Sequence, residues 1–212
     1  MINKEQEWNS IKNNLFTDGW AIVDNFFEKK FALHLRKKIL NNYKDAKANN
    51  VYSDYILKDA DENIFPSLEI ANDLYKYIDE LKNTYKRSWV GVYKNKGKGT
   101  SYHYDWESLI TVNIWLTPNE CVDDFNKNGL VILPIQVSED IKQEHLMAKE
   151  PTVAHDKFVK HFINLHKHLK PITINYNFNR AVFHTNLLHA TNDVSMKEGE
   201  NNKRVSITIL FR

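Results

Sequence analysis

Residues 89–116 read Trp89-Val90-Gly91-Val92-Tyr93, a turn Lys96-Gly97-Lys98-Gly99, then Ser101-Tyr102-His103-Tyr104-Asp105-Trp106 and Leu109-Ile110-Thr111-Val112-Asn113-Ile114-Trp115-Leu116. Apolar residues recur here with a period of two, which predicts strands joined by short turns. Upstream the period is helical. Asn3 to Phe16 spaces Trp8, Ile11, Leu15 and Phe16 along one face, Glu28 to Tyr43 carries Phe31, Leu35 and Ile39 among lysines, and Pro66 to Tyr85 repeats apolar residues at three and four from Leu68 to Leu81. Each predicts an amphipathic helix. Trp20-Ala21-Ile22-Val23 predicts a strand between the first two, and Asn41-Asn42 a helix stop followed by a polar loop to Asn50. Downstream, Val131 to Leu133, Ile172 to Tyr176, Arg180 to His184 and Arg204 to Phe211 read as further strands, and the charged stretch 138–170 as a helical insertion. Helices first, then many short strands without alternating helices, predict an α+β chain with a mainly β core of the sandwich or jelly-roll kind.

At 212 residues the chain has the size of one domain, given roughly 100–200 residues per domain. With 42% apolar and 26% charged residues it can bury a core, which argues against disorder. A net charge of +2 is too small and too evenly spread for a phosphate-binding footprint, so no nucleic-acid partner is expected. The single cysteine, Cys121, cannot form an intrachain disulfide, and the opening Met-Ile-Asn-Lys-Glu-Gln-Glu lacks a signal-peptide pattern; a reducing, cytoplasmic setting is expected. Apolar runs such as Leu130 to Ile135, broken by Pro134, fall far short of the roughly 18 residues that span a bilayer, so no membrane partner is expected. Neither GxGxxG nor GxxxxGK[ST] is present, which removes support for nucleotide-binding α/β folds.

The chemistry-bearing residues are His103 and Asp105, then His189, then Arg204 and Ser206. Residues two apart on a strand share a face, so His103 and Asp105 can converge on one point. Two imidazoles and a carboxylate on one side of an ion leave the opposite positions open, as in the facial triad of non-haem Fe(II) oxygenases. His-x-Asp alone is a weak signal; its order with a later histidine and an Arg-x-Ser opening the last strand strengthens it. In that strand Val205, Ile207 and Ile209 share one face and Arg204, Ser206 and Thr208 the other, so a guanidinium and a hydroxyl can meet one carboxylate. The alternative is a solvated strand face with a surface arginine.

In these motifs the chain resembles the 2-oxoglutarate and Fe(II)-dependent oxygenase superfamily, broadly of the phytanoyl-CoA dioxygenase-like or prolyl-hydroxylase-like kind. The stretch Asp18 to Phe27 resembles the first strand of such domains, His103-Tyr104-Asp105-Trp106 the first metal motif, Asn113 to Pro118 the strand and turn after it, Asn128 to Pro134 the next Gly-led strand, Arg180 to His189 the distal histidine strand, and Arg204-Val205-Ser206 the co-substrate motif. The resemblance runs from about Asp18 to the C-terminus. It implies a double-stranded β-helix (jelly roll, cupin-like) with N-terminal helices packed on one sheet, a single domain over 1–212, and a hydroxylase. Fe(II) would sit on His103, Asp105 and His189, with 2-oxoglutarate held by Arg204 and Ser206. Tyr93 and Asn113 resemble further co-substrate contacts, although a buried tyrosine and a polar strand face are nearly as ordinary a reading. O2 and an unidentified small-molecule or peptide substrate would complete the set, with release of succinate and CO2. Halogenating relatives lack the carboxylate at the position of Asp105, which favours hydroxylation.

His189 is preferred over His184 as ligand because it follows Asn186-Leu187-Leu188 as the family's ligand does; His184 is expected to support it or simply to pack. Tyr102, Trp106 and Trp115 are candidates for a substrate pocket, although strand aromatics are more often core. His155, His161, His166 and His168 are expected on a solvated face of the insertion. Two other functions fit the same jelly roll: a cupin-type metalloenzyme that makes no use of 2-oxoglutarate, and a non-catalytic binding module. Oligomeric state is not encoded in any of these motifs.

Overall fold

The computed structural model describes residues 1–43, 55–59 and 61–212. Helices α1 (Trp8–Thr17), α2 (Lys29–Tyr43) and α3 (Ser67–Leu74) lie in the first part, with strand β1 (Trp20–Val23) between α1 and α2 and β2 (Tyr55–Asp59) before α3. Strands β3 (Tyr85–Tyr93), β4 (Lys96–Gly97), β5 (Ile110–Trp115) and β6 (Leu130–Gln136) follow. Helices α4 (Glu139–Met147) and α5 (Pro151–Leu165) then interrupt the strands before β7 (Ile172–Ile174), β8 (Ala181–His184), β9 (Leu187–Thr191), β10 (Val194–Ser195) and β11 (Val205–Phe211).

Two antiparallel sheets carry the architecture. The larger has six strands in the order β1-β8-β5-β11-β3-β2, and the smaller has three, β7-β6-β9; β4 and β10 form a short ribbon. Strand β11 is central to the larger sheet, pairing Ile207 with Ile114 of β5 on one side and with Val90 of β3 on the other. Its Val205, Ile207, Ile209 and Phe211 join Val112, Ile114, Val90 and Phe183 against Trp8, Ile11 and Leu15 of α1, Leu35 and Ile39 of α2, and Ile70 and Leu74 of α3. The helices are therefore held by apolar burial on one face of this sheet. A second cluster, with Trp115, Val182, Leu130, Ile132, Ile174 and Leu187, joins the opposite face to the smaller sheet. Pro134 has no N–H to give the ladder, and the β6–β9 register shifts between Leu133 and Gln136.

Three expectations change. The N-terminal helix begins at Trp8 rather than Asn3, because Ile2 is buried in the core and pairs with Phe27 instead. The helix expected over 66–85 ends at Leu74: Ile78 is extended (φ −129°, ψ 88°), Asp79–Leu81 is a 3₁₀ turn, and Asn83 at φ 63° redirects the chain into β3. Ile78 and Leu81 are still buried, so the spacing marked core positions rather than a continuous helix. Ser101 to Trp106 is not a strand; only His103 makes a ladder contact, an isolated bridge to His189. The polar loop expected up to Asn50 lies beyond the described residues from position 44. Among the described residues no helix is long and apolar enough to cross a membrane.

Ile207 is fully buried at the centre of β11. Ile207→Ala is expected to cost about 2–5 kcal/mol in urea unfolding; a loss below about 1 kcal/mol would show that this strand is not the hub of the core.

Candidate active site

Between the two sheets lies a cavity of about 340 Å³ whose lining includes Tyr93, His103, Asp105, Asn113, His189, Arg204 and Ser206. All seven residues singled out in the sequence thus face one space. The short-period strands explain how: Asn113 and Trp115 point inward from β5, and Arg204 just before β11 and Ser206, Thr208 and Leu210 within it do the same, while their neighbours enter the apolar core. The segment bearing His103 comes close because Gly99 has no side chain; a Cβ there would lie 1.8 Å from the Thr191 carbonyl oxygen. His103 then exchanges both backbone hydrogen bonds with His189, at 2.9 and 2.8 Å.

His103, Asp105 and His189 each present one ligand atom, all within 4.8 Å of one another, a spacing that suits one divalent ion. Each histidine is oriented by a backbone carbonyl. Nδ1 of His103 donates to Ser101 O at 2.8 Å and Nδ1 of His189 to Leu187 O at 3.0 Å, so both Nε2 atoms are left for the cavity. Oδ2 of Asp105 accepts a 2.7 Å bond from the Thr111 hydroxyl and stands 3.7 Å from Nε2 of His189. Burial alone would raise the Asp105 carboxyl, but His189, His103, His184 and the Thr111 hydroxyl outweigh it and hold the group below the usual carboxylate value. Burial drives His189 well below, and His184 below, the ordinary imidazole value. At neutral pH the ionised Asp105 carboxylate therefore sits beside the neutral imidazoles of His184 and His189, and carboxylate and neutral imidazole are the forms that bind metals.

Across the cavity Arg204 is 2% exposed. Its guanidinium lies 4.4 Å from the centre of the Tyr93 ring, and its Nε and Nη1 have no hydrogen-bond partner. A buried charge with unpaired donors is costly, and a carboxylate is the group whose geometry matches a guanidinium edge. Ser206 adds a hydroxyl on the same strand face. Asn113 is more committed than expected: its Oδ1 accepts from Thr208 at 2.8 Å and its Nδ2 donates to Nε2 of His184 at 3.0 Å. His184 is buried, lies with its ring tilted against that of His189 at 4.3 Å between centroids and donates from Nδ1 to Thr185 O. Tyr102, Trp106 and Trp115 all line the cavity, and Trp115 also stacks on Tyr176.

One expectation fails within the insertion. His161 and His168 are exposed, but His155 of α5 is 7% exposed, lines the cavity and packs against Tyr104 at 4.7 Å and Trp106 at 5.1 Å. The signal was present, since His155 precedes Phe158, Val159 and Phe162 at three, four and seven residues and so shares their apolar face. Lys142 of α4, also buried, had no such signal.

No family model matches the sequence, and no curated protein matches it. Solved structures do. The chain is similar to a prolyl hydroxylase from Trichoplax adhaerens, solved with a hypoxia inducible factor oxygen degradation domain peptide fragment (TM-score 0.61, 16% identity, 98% of this chain and 94% of that one). It is similar to a prolyl-4-hydroxylase from Pseudomonas putida (0.59, 11%, 100% and 97%). A third is the non-haem α-ketoglutarate-dependent epimerase SnoN from nogalamycin biosynthesis (0.63, 13%, 97% and 82%). The chain has the fold of the 2-oxoglutarate and Fe(II)-dependent oxygenases.

The neutral buried histidines set a pH dependence. Their folded values lie below the ordinary one of about 6.5, so as pH falls past that value the unfolded chain binds more protons and folding is penalised. The metal-free protein is expected to lose urea stability between about pH 7 and 5.5, with a shallower slope in His184→Gln; equal slopes would show that His184 is charged when folded.

Proposed function

We propose that the chain is an Fe(II)- and 2-oxoglutarate-dependent dioxygenase that hydroxylates a small-molecule or peptide substrate and releases succinate and CO2. The observation that carries this reading is the buried Arg204, whose Nε and Nη1 are unpartnered in the same cavity as the His103–Asp105–His189 cluster. A metal enzyme without an anionic co-substrate has no use for such a group, whereas a dicarboxylate anchored at one end and chelated at the other does. In this reading the two sheets form a double-stranded β-helix, residues 1–212 are one domain with an insertion at about 138–170, and the location is the cytoplasm.

The donor set fits the metal. His103 and His189 would each supply a neutral Nε2 and Asp105 a carboxylate oxygen, leaving the remaining positions open. Bound there, Fe(II) with 2-oxoglutarate and O2 supplies the oxidising equivalents for inserting oxygen into a C–H bond. Arg204 and Ser206 would grip the distal carboxylate, with Tyr93 fixing the guanidinium from one side through the ring contact. Thr111 holds Oδ2 of Asp105 and so limits rotation of that ligand. Tyr102, Trp106 and His155 form an aromatic wall where the organic substrate would lie, and the peptide bound to the Trichoplax adhaerens prolyl hydroxylase makes a peptide one class to screen.

Anaerobic titration of the Fe(II)-loaded protein with 2-oxoglutarate is expected to produce the visible metal-to-ligand charge-transfer band of the chelate. Asp105→Ala should abolish the band, and Arg204→Ala should weaken 2-oxoglutarate binding at least about tenfold. No band despite bound Fe(II) would transfer the assignment to a cupin-type enzyme, and unchanged affinity in Arg204→Ala would remove Arg204 as the anchor of the co-substrate. Failure to bind Fe(II) at all would leave a binding module.

A further inference from the structure

Lys142 has a side chain only 1% exposed, within a helix that otherwise faces solvent on one side. A buried ammonium is expensive unless its protons are used, and this one has three acceptors around it. Nζ donates to the backbone carbonyl of Ser108 and, at 2.6 Å, to Oδ1 of Asn186; Oε2 of Glu139, one turn earlier, is 3.6 Å away. An apolar side chain could fill the same space at lower desolvation cost. It could not hold two acceptors from separate parts of the chain.

Both of those parts lead to the candidate metal ligands. Ser108 closes a turn on Asp105 through its N–H to the Asp105 carbonyl at 3.1 Å. Its Oγ lies 2.9 Å from Oγ1 of Thr111, which donates to Oδ2 of Asp105. On the other side, Asn186 opens the strand entry to His189, its carbonyl fixed by the N–H of Val137 at 2.8 Å, and the next residue, Leu187, supplies the carbonyl that orients the His189 ring. We propose that Lys142 is a positioning residue of the metal site, its ammonium fastening the turn that carries Asp105 to the strand entry that leads to His189. This rests on the reading of His103, Asp105 and His189 as metal ligands. It assigns the insertion a role in metal binding as well as in shaping the cavity.

The test uses Co(II) alone as the probe, titrated into the metal-free 212-residue chain, with its visible d–d absorption reporting ligand geometry. Lys142→Met is expected to raise the Co(II) dissociation constant roughly 10–100-fold, the range for outer partners of metal ligands, and to alter the band pattern. Asn186→Ala removes one acceptor and leaves the lysine in place; it should shift both readouts in the same direction by less. A purely structural lysine would instead lower the melting temperature of metal-free Lys142→Met while its folded fraction kept wild-type affinity and bands, which would overturn the proposal. Should Lys142→Met not fold, wild-type affinity and bands in Asn186→Ala would overturn it equally. Wild-type protein that takes up no Co(II) would overturn the metal reading and the role of Lys142 together, whereas wild-type binding with indifferent variants would remove Lys142 alone.

Discussion

Every residue of β11 is buried, and its two faces are buried for opposite reasons. Val205, Ile207, Ile209 and Phe211 enter the apolar layer that holds three helices on the larger sheet. Arg204 just before the strand, with Ser206 and Thr208 within it, faces the cavity. Alternation in a single strand thus couples the term that stabilises the fold to the group that makes the cavity electrostatically unusual. A slip of one residue in its pairing would place a guanidinium in the core and an isoleucine in the cavity, so the register between β3 and β5 is strongly specified.

The cavity is built from charges that oppose one another across it. Asp105 is ionised on one wall and the Arg204 guanidinium is buried on another, yet they are not partners of each other. Each is supported locally, Asp105 by Thr111 and neighbouring imidazoles and Arg204 by the face of Tyr93. Groups fixed in place in this way need little reorganisation to meet a ligand of opposite charge. The burial of both is tolerated because the surrounding sheets are held independently by hydrophobic area.

Much of this was legible in the sequence because it depends on local periodicity. The change from helical to strand spacing near Arg87, the alternation after Arg204 and the spacing of His103 to Asp105 are properties of a few adjacent residues. Ser101 to Trp106 shows the limit of that logic: His103 and Asp105 converge although their segment is not a strand, because the bridge to His189 and the gap left by Gly99 position it. Helix α3 is shorter than its apolar spacing predicts because Ile78 and Leu81 belong to the core without belonging to the helix. Lys142 could not be read at all, since its partners, Ser108 and Asn186, are set by tertiary packing. The charge-rich neighbourhood of His155 points to a solvated face, whereas its spacing to Phe158, Val159 and Phe162 places it on the apolar one.

Helix α5 packs His155 against Tyr104 and Trp106 of the cavity wall, and α4 reaches the segments that carry Asp105 and His189 through Lys142. The chain between β6 and β7 is therefore not an independent cassette. Grafting another loop at that point to alter what the pocket accepts would also disturb the scaffold around Asp105 and His189. The shape of the pocket and the placement of Asp105 and His189 would have to be re-engineered together, with the Lys142 contacts carried over into the graft.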